Sequence, residues 1–419
     1  MKRRDPEQRV VITGLGALTP IGKSADEFWR GLVEGCSGID QMTLCDTTGY
    51  PCTIGGEVKD FHPEEHMSPK EARRMARFAQ FAVVAAGQAI ESAQLDLNRE
   101  QLDRCGVLLG NGNGGYPTVE DGARTLIAKG GMRMSPFFFP MTLPNIAASQ
   151  VSLNYKLQGY SSTVVTACAA GNQAIGEAAE VIRRGSADVI VAGGVEAGIS
   201  ELGLGGFCTM KALSTSWNSE PTRASRPFDA LRDGFVPGEG TGILILESYR
   251  HATERDAPIL GEVLGYGASS DAFHVVQPDE DGAGATRAMQ WALRDAGIDP
   301  EEIDYVNAHG TATPLNDAVE TKAIKRVFGD GAYKIPISAT KSMIGHSLGA
   351  AGGMEAVACV KTILEGVVHP TINYENPDPD CDLDYVPKEA RRVRVKAVLS
   401  NSFGFGGQNA CVVFGAFEP

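Results

Sequence analysis

The sequence predicts an α/β protein built from two similar halves. Short apolar runs such as "VVITGLG", "ADVIVAGG" and "GILILES" alternate with helical patterns such as "GATRAMQWALRDAG". This alternation is typical of buried strands joined through helices. At 419 residues the chain is long enough for more than one domain.

An internal echo indicates the two halves. One helix and the connector after it recur 203 positions later, where Ala89, Ile90, Ala93, Leu95 and Asp96 become Ala292, Leu293, Ala296, Ile298 and Asp299. In both copies the connector leads into an apolar strand. We therefore expect side-by-side halves at residues 1–255 and 256–419. Chance similarity between two amphipathic helices is the alternative.

Composition excludes several classes of function. The net charge of −14 argues against a nucleic-acid partner and against binding to anionic membranes. We expect no signal peptide, and the sequence has no apolar run near the roughly 18 residues that a spanning helix needs. The nine cysteines are scattered without a C-x-x-C pair, which predicts a reduced, cytoplasmic setting and neither a disulfide framework nor a zinc site.

Cys168 is the candidate nucleophile. It lies in "STVVTACAAGN", where a β-branched run gives way to small residues and then to a helical pattern. We expect a buried strand to turn into a helix here. The N–H groups and positive dipole end of that helix are expected to lower the pKa of the thiol. A buried filler residue is the alternative, because free cysteine is often buried.

Three further stretches embed polar residues among small ones just after apolar strands. They read "YVNAHGTATPLNDAVE", "ISATKSMIGHSLGAAGGMEA" and "VLSNSFGFGGQN", and they carry His309, Lys341 and His346. Sites in α/β proteins lie at the carboxyl ends of strands, so these residues are candidate partners of the thiol. A structural role for each histidine is the alternative.

A fourth glycine-rich stretch is a decoy. Residues 110–115 read "GNGNGG", which fits the G-x-G-x-x-G pattern after a strand. Pro117 follows closely, and no carboxylate stands about 20 residues on after a second strand. The pattern therefore does not predict a dinucleotide site.

Together, "TACAAG", "NAHGTATPLND", "TKSMIGH" and "NSFGFGG" resemble the motifs of the β-ketoacyl-acyl-carrier-protein synthases, best those of the type II fatty-acid enzymes. The resemblance runs nearly end to end. It implies a thiolase-like fold of two duplicated α/β halves layered α-β-α-β-α, usually a homodimer. It also implies decarboxylative condensation of malonyl-acyl-carrier protein with an acyl-enzyme thioester, elongating fatty acyl chains by two carbons without a required cofactor.

The resemblance assigns a role to each matching residue. Cys168 takes the acyl chain as a thioester, and His309 and His346 act on the malonyl carbonyl. Lys341 orders this region. Phe403 matches the gating residue whose backbone N–H, with that of Cys168, forms an oxyanion hole.

Other matches concern the substrates. Thr311 and Thr313 match threonines that hold the phosphopantetheine arm of acyl carrier protein, and Phe207 and Phe405 match substrate-binding positions. Asn113 is a departure, because the family usually has an apolar residue at this end of the acyl pocket, across the dimer interface. Further departures near the nucleophile and the gate, which leave chain-length preference open, are Ala169, Ala170, Gln173 and Gln408.

The resemblance also implies a polar network and an ion. Asp317, Glu320 and Glu355 match network positions, although early-turn helix acids are an equal alternative for the first two. A site where some members hold a structural sodium or potassium ion is matched by four residues: Asn307, Glu355, Ser400 and Asn401.

An acidic carrier protein needs a local basic face. Lys70, Arg73 and Arg74 stand at i, i+3 and i+4, which predicts one side of a helix. Lys211 and Arg133 match further basic positions of the family's carrier surface. A solvated helix face is the alternative reading of such a cluster.

Three rivals remain within this resemblance. A polyketide ketosynthase shares the same cysteine and histidines. A thiolase is disfavoured because that family uses a second cysteine near the C-terminus, where this chain reads "NSFGFGGQN". A non-catalytic chain-length partner is disfavoured because such subunits lose the active cysteine, whereas Cys168 is present.

Overall fold

The structure, a computed structural model, describes residues 4–418. Its strands are β1 (Val10–Leu18), β2 (Ile39–Gln41), β3 (Ile54–Gly56), β4 (Cys105–Gly110), β5 (Ser161–Val164), β6 (Val189–Glu196), β7 (Gly240–Ser248), β8 (Gly261–Ser270), β9 (Tyr305–Asn307), β10 (Ile337–Ser338), β11 (Val367–Val368), β12 (Arg391–Arg392), β13 (Ala397–Gly404) and β14 (Gln408–Gly415).

Its α-helices are α1 (Ala25–Glu34), α2 (Pro69–Ala72), α3 (Arg77–Ser92), α4 (Tyr116–Lys129), α5 (Phe138–Thr142), α6 (Ile146–Tyr155), α7 (Ala170–Arg183), α8 (Glu201–Thr209), α9 (Tyr249–Glu254), α10 (Ala283–Ala296), α11 (Pro314–Phe328), α12 (Lys341–Ile344) and α13 (Ala351–Glu365). In the part of the chain that is described, none of these helices is long and apolar enough to cross a bilayer.

The main sheet has ten strands in the order β10-β9-β13-β14-β8-β1-β7-β6-β4-β5. The middle of this sheet is a short ladder in which Val11 pairs with Glu262 and Ile12 with Gly261. Outward from that ladder, both sides show two antiparallel pairs followed by two parallel pairs. This repeated pattern confirms the two duplicated α/β halves. The boundary proposed at residues 255 and 256 lies between α9 and β8.

Helices form three layers around the two halves of the sheet. The central layer is α7 and α13, each of which contacts strands of both halves. On the outer faces, α3 packs on β1 and β7, and α10 packs on β8 and β14. The order is therefore α-β-α-β-α, as expected.

Close helix–strand packing explains the echo between the halves. A Cβ on Gly14 would lie 2.1 Å from the carbonyl oxygen of Ala89, and a Cβ on Gly265 would lie 2.4 Å from that of Ala292. Glycine on the strand and alanine on the helix let the two backbones approach. The recurring alanines are thus a packing requirement of α3 and α10 that both halves share.

A second echo lies in the central layer and is not among the sequence predictions. A 3₁₀ turn precedes α7 at Ala167–Ala169, and another precedes α13 at Leu348–Ala350. Each turn begins with a left-handed residue, since φ is 49° at Ala167 and 48° at Leu348. This correspondence places Cys168 and Gly349 at equivalent positions of the two halves.

Candidate active site

Cys168 lies in the turn before α7, as expected, and its sulfur is buried beside a histidine. The Sγ atom is 3.0 Å from Nε2 of His346. The strand before it differs from expectation, because β5 is an edge strand in which Val164 alone is buried. Val165 is 53% exposed. The β-branched composition of "STVV" therefore reflects a sheet edge and not a buried strand.

Burial decides the charge state of the thiol. Desolvation raises the pKa of Cys168 to about 12, although the charge of Lys341 and the backbone N–H groups of Phe405 and Cys168 act in the opposite direction. The expected lowering of this pKa by the helix is thus wrong, because desolvation outweighs the favourable donors. The Cys168 thiol is therefore protonated at neutral pH.

The two histidines face each other across the site. Their ring centroids are 5.4 Å apart at nearly perpendicular planes. Burial, together with the positive charge of Lys341, lowers the pKa of His309 and that of His346 well below the ordinary value. Both imidazoles are therefore neutral. The Nδ1 atom of His346 has no hydrogen-bonding partner within residues 4–418.

Lys341 begins α12 and orders the His309 side of the site. Its Nζ atom lies 3.4 Å from Nδ1 of His309 and forms an ion pair with Glu355. All three side chains are buried. A buried ammonium needs such a carboxylate to offset the loss of hydration.

Glu320 and Asp317 are both buried in α11, and Asp317 also lies in the first turn of this helix, as the alternative predicts. The Glu320 carboxylate accepts the N–H groups of His309 and Gly310, both at 2.8 Å. Burial raises its pKa to about 7. Asp317 accepts the N–H of Phe228 at 2.7 Å.

A cleft of about 370 Å³ reaches the sulfur from the surface. Thr311 and Thr313 line it, with their Oγ1 atoms 2.9 Å apart. Other residues on its walls are Cys168, Lys211, His309, His346, Phe403 and Phe405. The structure thus brings the predicted thiol, both histidines and the two arm-binding threonines to one cavity.

The backbone donor at the sulfur differs from the predicted one. The N–H of Phe405 points at the Cys168 sulfur. Phe403 lies inside β13, opposite Asn409, and its ring is 5.7 Å from that of His309. The assignment of the donor to Phe403 is therefore corrected to Phe405, because that residue follows the end of β13 and can turn its N–H toward the thiol.

A second, apolar pocket continues beyond His346. Phe207 lines it as expected, together with Met42, Ile199, Leu204, Phe235 and Leu348. The ring of Phe207 lies edge-on to that of Phe235, with centroids 5.3 Å apart. Asn113 stands behind this wall, since its Nδ2 atom would be 3.3 Å from a Cβ on the lining residue Gly198.

The five candidate docking residues are all exposed: Lys70, Arg73, Arg74, Arg133 and Lys211. The prediction of one helix face is wrong, because α2 is a single turn that ends at Ala72. Arg73 and Arg74 lie in the turn after it, and the Arg74 guanidinium stacks 4.8 Å from the ring centre of Phe137. Lys211 lies at the cleft.

The four candidate ion ligands, Asn307, Glu355, Ser400 and Asn401, are buried. Within residues 4–418, Oδ1 of Asn307 and Oε2 of Glu355 lack a hydrogen-bonding partner. Oγ of Ser400 accepts a bond from Asn172 at 3.2 Å. The described part of the chain holds no group of three or more His, Cys, Asp or Glu residues arranged for a metal.

Two further residues of the cleft wall are absent from the sequence predictions. Asp271 accepts a hydrogen bond from Asn409 at 2.7 Å, and its own N–H bonds the carbonyl of Gly407 at 2.9 Å. These bonds fix the loop that carries Phe405. The position of Asn409, just after "GFGGQ", was the available signal.

Comparison with known proteins agrees with this geometry. Residues 7–252 match the family described as beta-ketoacyl synthase, N-terminal domain, and residues 260–375 match the corresponding C-terminal domain. A relative named 3-oxoacyl-[acyl-carrier-protein] synthase 2 from Synechocystis sp. is 50% identical, covering 98% of this chain and 99% of that protein. One of the same name from Staphylococcus aureus (strain COL) is 48% identical over 98% and 99%.

Solved structures are similar over the same length. A beta-ketoacyl synthase from Burkholderia phymatum has a TM-score of 0.91 and 36% identity, covering 98% of this chain and all of that one. A ketosynthase solved with its type II polyketide acyl-carrier protein has a TM-score of 0.90 and 37% identity, covering 98% and 99%. With both domains matched and half the residues shared with a full-length relative, the chain belongs to the β-ketoacyl synthase family.

Proposed function

We propose that this protein is a 3-oxoacyl-acyl-carrier-protein synthase that lengthens fatty acyl chains by decarboxylative condensation. The observation that carries the proposal is the Cys168 thiol 3.0 Å from Nε2 of the neutral imidazole of His346, with the neutral His309 on the other side. A thiol with an adjacent neutral base is a suitable acyl-transfer nucleophile. Paired neutral imidazoles are suitable donors to an enolate oxygen.

The first half-reaction loads the enzyme. His346 takes the proton of Cys168 as the sulfur attacks the carbonyl of an acyl thioester. The N–H groups of Phe405 and Cys168, which face this sulfur, hold the oxyanion. The carbonyl re-forms, the C–S bond to phosphopantetheine breaks, and the departing thiolate takes the proton from His346. The acyl chain enters the apolar pocket lined by Phe207.

The second half-reaction forms the new C–C bond. The malonyl group loses CO₂, and the electron pair of the broken bond becomes an enolate. Its oxygen accepts N–H bonds from His309 and from the tautomer of neutral His346 that carries its proton on Nε2. The enolate carbon attacks the Cys168 thioester and expels the thiolate, which takes a proton from water. The product is a 3-oxoacyl thioester two carbons longer. Thr311 and Thr313 hold the phosphopantetheine arm in the cleft.

The fatty-acid assignment is favoured over a polyketide ketosynthase by the relatives. The proteins about 50% identical are named 3-oxoacyl-acyl-carrier-protein synthase 2, whereas the polyketide ketosynthase solved with its carrier protein is 37% identical. A non-catalytic chain-length partner is disfavoured because Cys168, Lys341 and both histidines are assembled in one site.

Acyl carrier protein is the proposed partner, docking on the exposed basic residues Lys70, Arg73, Arg74, Arg133 and Lys211. A related ketosynthase was solved with its carrier protein, and Lys211 lies at the mouth of the cleft here. Reversing the charges of Arg73 and Arg74 is expected to raise KM for acyl-carrier-protein substrates several-fold. The control is Arg99→Glu, an exposed arginine that forms an ion pair with Asp96. Equal KM values for the double variant and the control contradict this surface.

A homodimer is proposed through the edge of the sheet at β5. This strand ends the ten-stranded order, and α6, which packs on it, is followed outward by α5 and α4, all three with exposed large apolar side chains. The most exposed of these are Ile127, Phe139 and Leu153, at 86%, 68% and 71%. Such an apolar surface is typical of an interface.

A bound ion and the compartment are finer proposals. The unpartnered buried oxygens of Asn307 and Glu355 support a structural sodium or potassium ion between Asn307, Glu355, Ser400 and Asn401. A reducing, cytoplasmic setting is supported by nine free cysteines, including the nucleophile. The condensation itself requires no cofactor.

Mass spectrometry with acyl-carrier-protein substrates of graded length tests the proposed reaction. We expect an acyl adduct on Cys168, followed on addition of malonyl-carrier protein by a product two carbons longer. A mapped adduct on another cysteine, or no adduct with any length, overturns the proposal. The length profile also separates fatty acyl from polyketide substrates.

A further inference from the structure

Glu196 is a buried carboxylate that the proposed mechanism does not use. It ends β6, is fully buried and has no ion-pair partner within residues 4–418. Three backbone N–H groups bind it instead: those of Gly112 at 2.8 Å, Asn113 at 3.2 Å and Gly349 at 3.2 Å. A buried carboxylate held only by backbone donors is unusual, because burial of an unpaired charge is costly.

The three donors belong to two separate loops. Gly112 and Asn113 follow β4, and Gly349 lies in the turn that follows His346. The loops touch at this carboxylate, since a Cβ on Gly349 would lie 2.4 Å from the nitrogen of Gly112. A Cβ on Gly112 would lie 2.7 Å from Oε2 of Glu196 itself. We call this contact between the two loops the junction. Its two glycines leave room for the carboxylate and for the close approach of the loops.

The apolar pocket is built from the segments that meet at this junction. The chain leaves Glu196 directly into the wall formed by Gly198, Ile199 and Phe207. The loop after β4 puts Asn113 behind Gly198, and the turn at Gly349 follows the lining residues His346 and Leu348.

We propose that Glu196 is a positioning residue that sets the depth of the acyl pocket by tying the Asn113 loop to the turn after His346. The inference rests on the proposed acyl transfer to Cys168 and deepens it. The carboxylate acts through Asn113 and Gly349 and touches no reacting atom.

Burial raises the pKa of Glu196 to about 7, and above that pH its charged form also acts on the nucleophile. It raises the pKa of the Cys168 thiol, whereas Lys341 and the N–H groups of Phe405 and Cys168 lower it. His346 and His309, which also face the sulfur, are neutral. A loosened junction is therefore expected to change the chain-length profile, whereas a lost charge is expected to change the pH dependence of Cys168 alkylation.

Glu196→Gln is the test variant. The amide keeps the shape but turns an N–H₂ group toward backbone donors, so one loop is released, and the charge is lost. We expect the preferred chain length for Cys168 acylation to shift in mass-spectrometric competition between carrier substrates. We also expect alkylation of Cys168 above pH 7, where the wild-type carboxylate is charged, to be several-fold faster in this variant.

Glu247→Gln is the matched control. Glu247 is equally buried and lies at the opposite end of the β6–β7 ladder, where it pairs with Val189, whereas Glu196 pairs with Gly240. It binds Arg255 and His251 away from the cleft. We expect this variant to lose stability without a change in chain-length profile or in the pH curve of alkylation.

Glu196→Asp separates position from charge and serves if the glutamine variant fails to fold. The shorter side chain keeps its charge but withdraws from the loops, so we expect a changed chain-length profile with an unchanged pH curve. The proposal is overturned if both Glu196 variants keep the wild-type profile, or if Glu247→Gln changes it equally. If the wild-type protein forms no acyl adduct, the proposed function fails. In that case the alkylation curve remains as a test, and a Glu196→Gln curve identical to that of the wild type also overturns this inference.

Discussion

The turns before α7 and α13 have the same backbone conformation but different roles. Both begin with a left-handed residue, Ala167 in one and Leu348 in the other, and both start a central helix. Cys168 takes the second position of the first turn, and Gly349 takes that of the second. One half therefore presents a side chain to the cleft, whereas the other removes it so that two loops can pack around Glu196.

This comparison teaches how a duplicated fold makes an asymmetric site. The first half contributes the thiol, and the second half contributes His309, Lys341, His346 and the N–H of Phe405. The two central helices begin in equivalent turns, so their dipoles are oriented in the same way. The chemical difference between the two turns therefore comes from their side chains. A substitution in the turn before α7 should therefore reduce condensation, whereas one in the turn before α13 should reduce the free energy of unfolding.

Cys168→Ala is expected to have the largest effect. The alanine keeps the turn but removes the nucleophile, so condensation should fall by at least about 10³-fold. Steady-state assays of 3-oxoacyl product measure this loss, with Cys105→Ala in the buried strand β4 as the control. Retained condensation in the Cys168 variant would show that another residue carries the acyl chain.

His309→Ala should separate the two half-reactions. It removes an N–H donor to the enolate, so malonyl decarboxylation should fall about 10²–10³-fold. Acylation of Cys168 should change much less, because His346 is the residue 3.0 Å from the sulfur. Release of CO₂ and acyl-adduct formation are measured separately, and an equal loss of both contradicts the division of roles.

The pH dependence of Cys168 alkylation follows from its buried environment. A thiol whose pKa is raised to about 12 is protonated at neutral pH, so its thiolate fraction should rise about tenfold per pH unit across the stable range. Iodoacetamide labelling followed by peptide mass spectrometry measures the rate. A plateau already reached near pH 7 would instead show a thiolate stabilised by the helix, as the sequence predicts.

Gly349→Ala probes the other turn and should act on stability. The new Cβ would lie 2.4 Å from the nitrogen of Gly112, so the loops must separate, at a cost of about 1–3 kcal/mol in the free energy of unfolding. Denaturant titration measures it. Ala350→Gly is a control in the same turn. If Gly349→Ala has the same free energy of unfolding as the wild type, the junction is loose and the prediction is wrong.

The sequence anticipated the residues that meet at the site better than their local geometry. Four short motifs predict Cys168, His309, Lys341 and His346. The structure brings Cys168, His309 and His346 to one cleft, with Lys341 3.4 Å from His309. The resemblance assigns the backbone donor at the sulfur to Phe403, whereas in the structure the donor is the N–H of Phe405. The difference arises because β13 ends at Gly404, and only the N–H beyond that end turns toward the sulfur. The one-turn length of α2 was likewise missed.

Other features have little trace in the sequence. The role of Glu196 depends on contacts with Gly112 and Gly349, which are far away along the chain and meet only when β4, β6 and α13 pack together. The edge position of β5 depends on the order of strands in the sheet. Neither follows from local hydrophobic patterns.

By itself, the sequence determined the α/β class and the duplication, because periodicity and spacing are local properties. Its resemblance to a known family named the candidate reactive side chains. The tertiary structure alone decided the protonation of Cys168, the donor from Phe405 and the junction at Glu196. Desolvation and hydrogen bonding depend on which distant segments surround a group. A thiol that the local helix would favour as a thiolate is therefore held neutral by the fold around it.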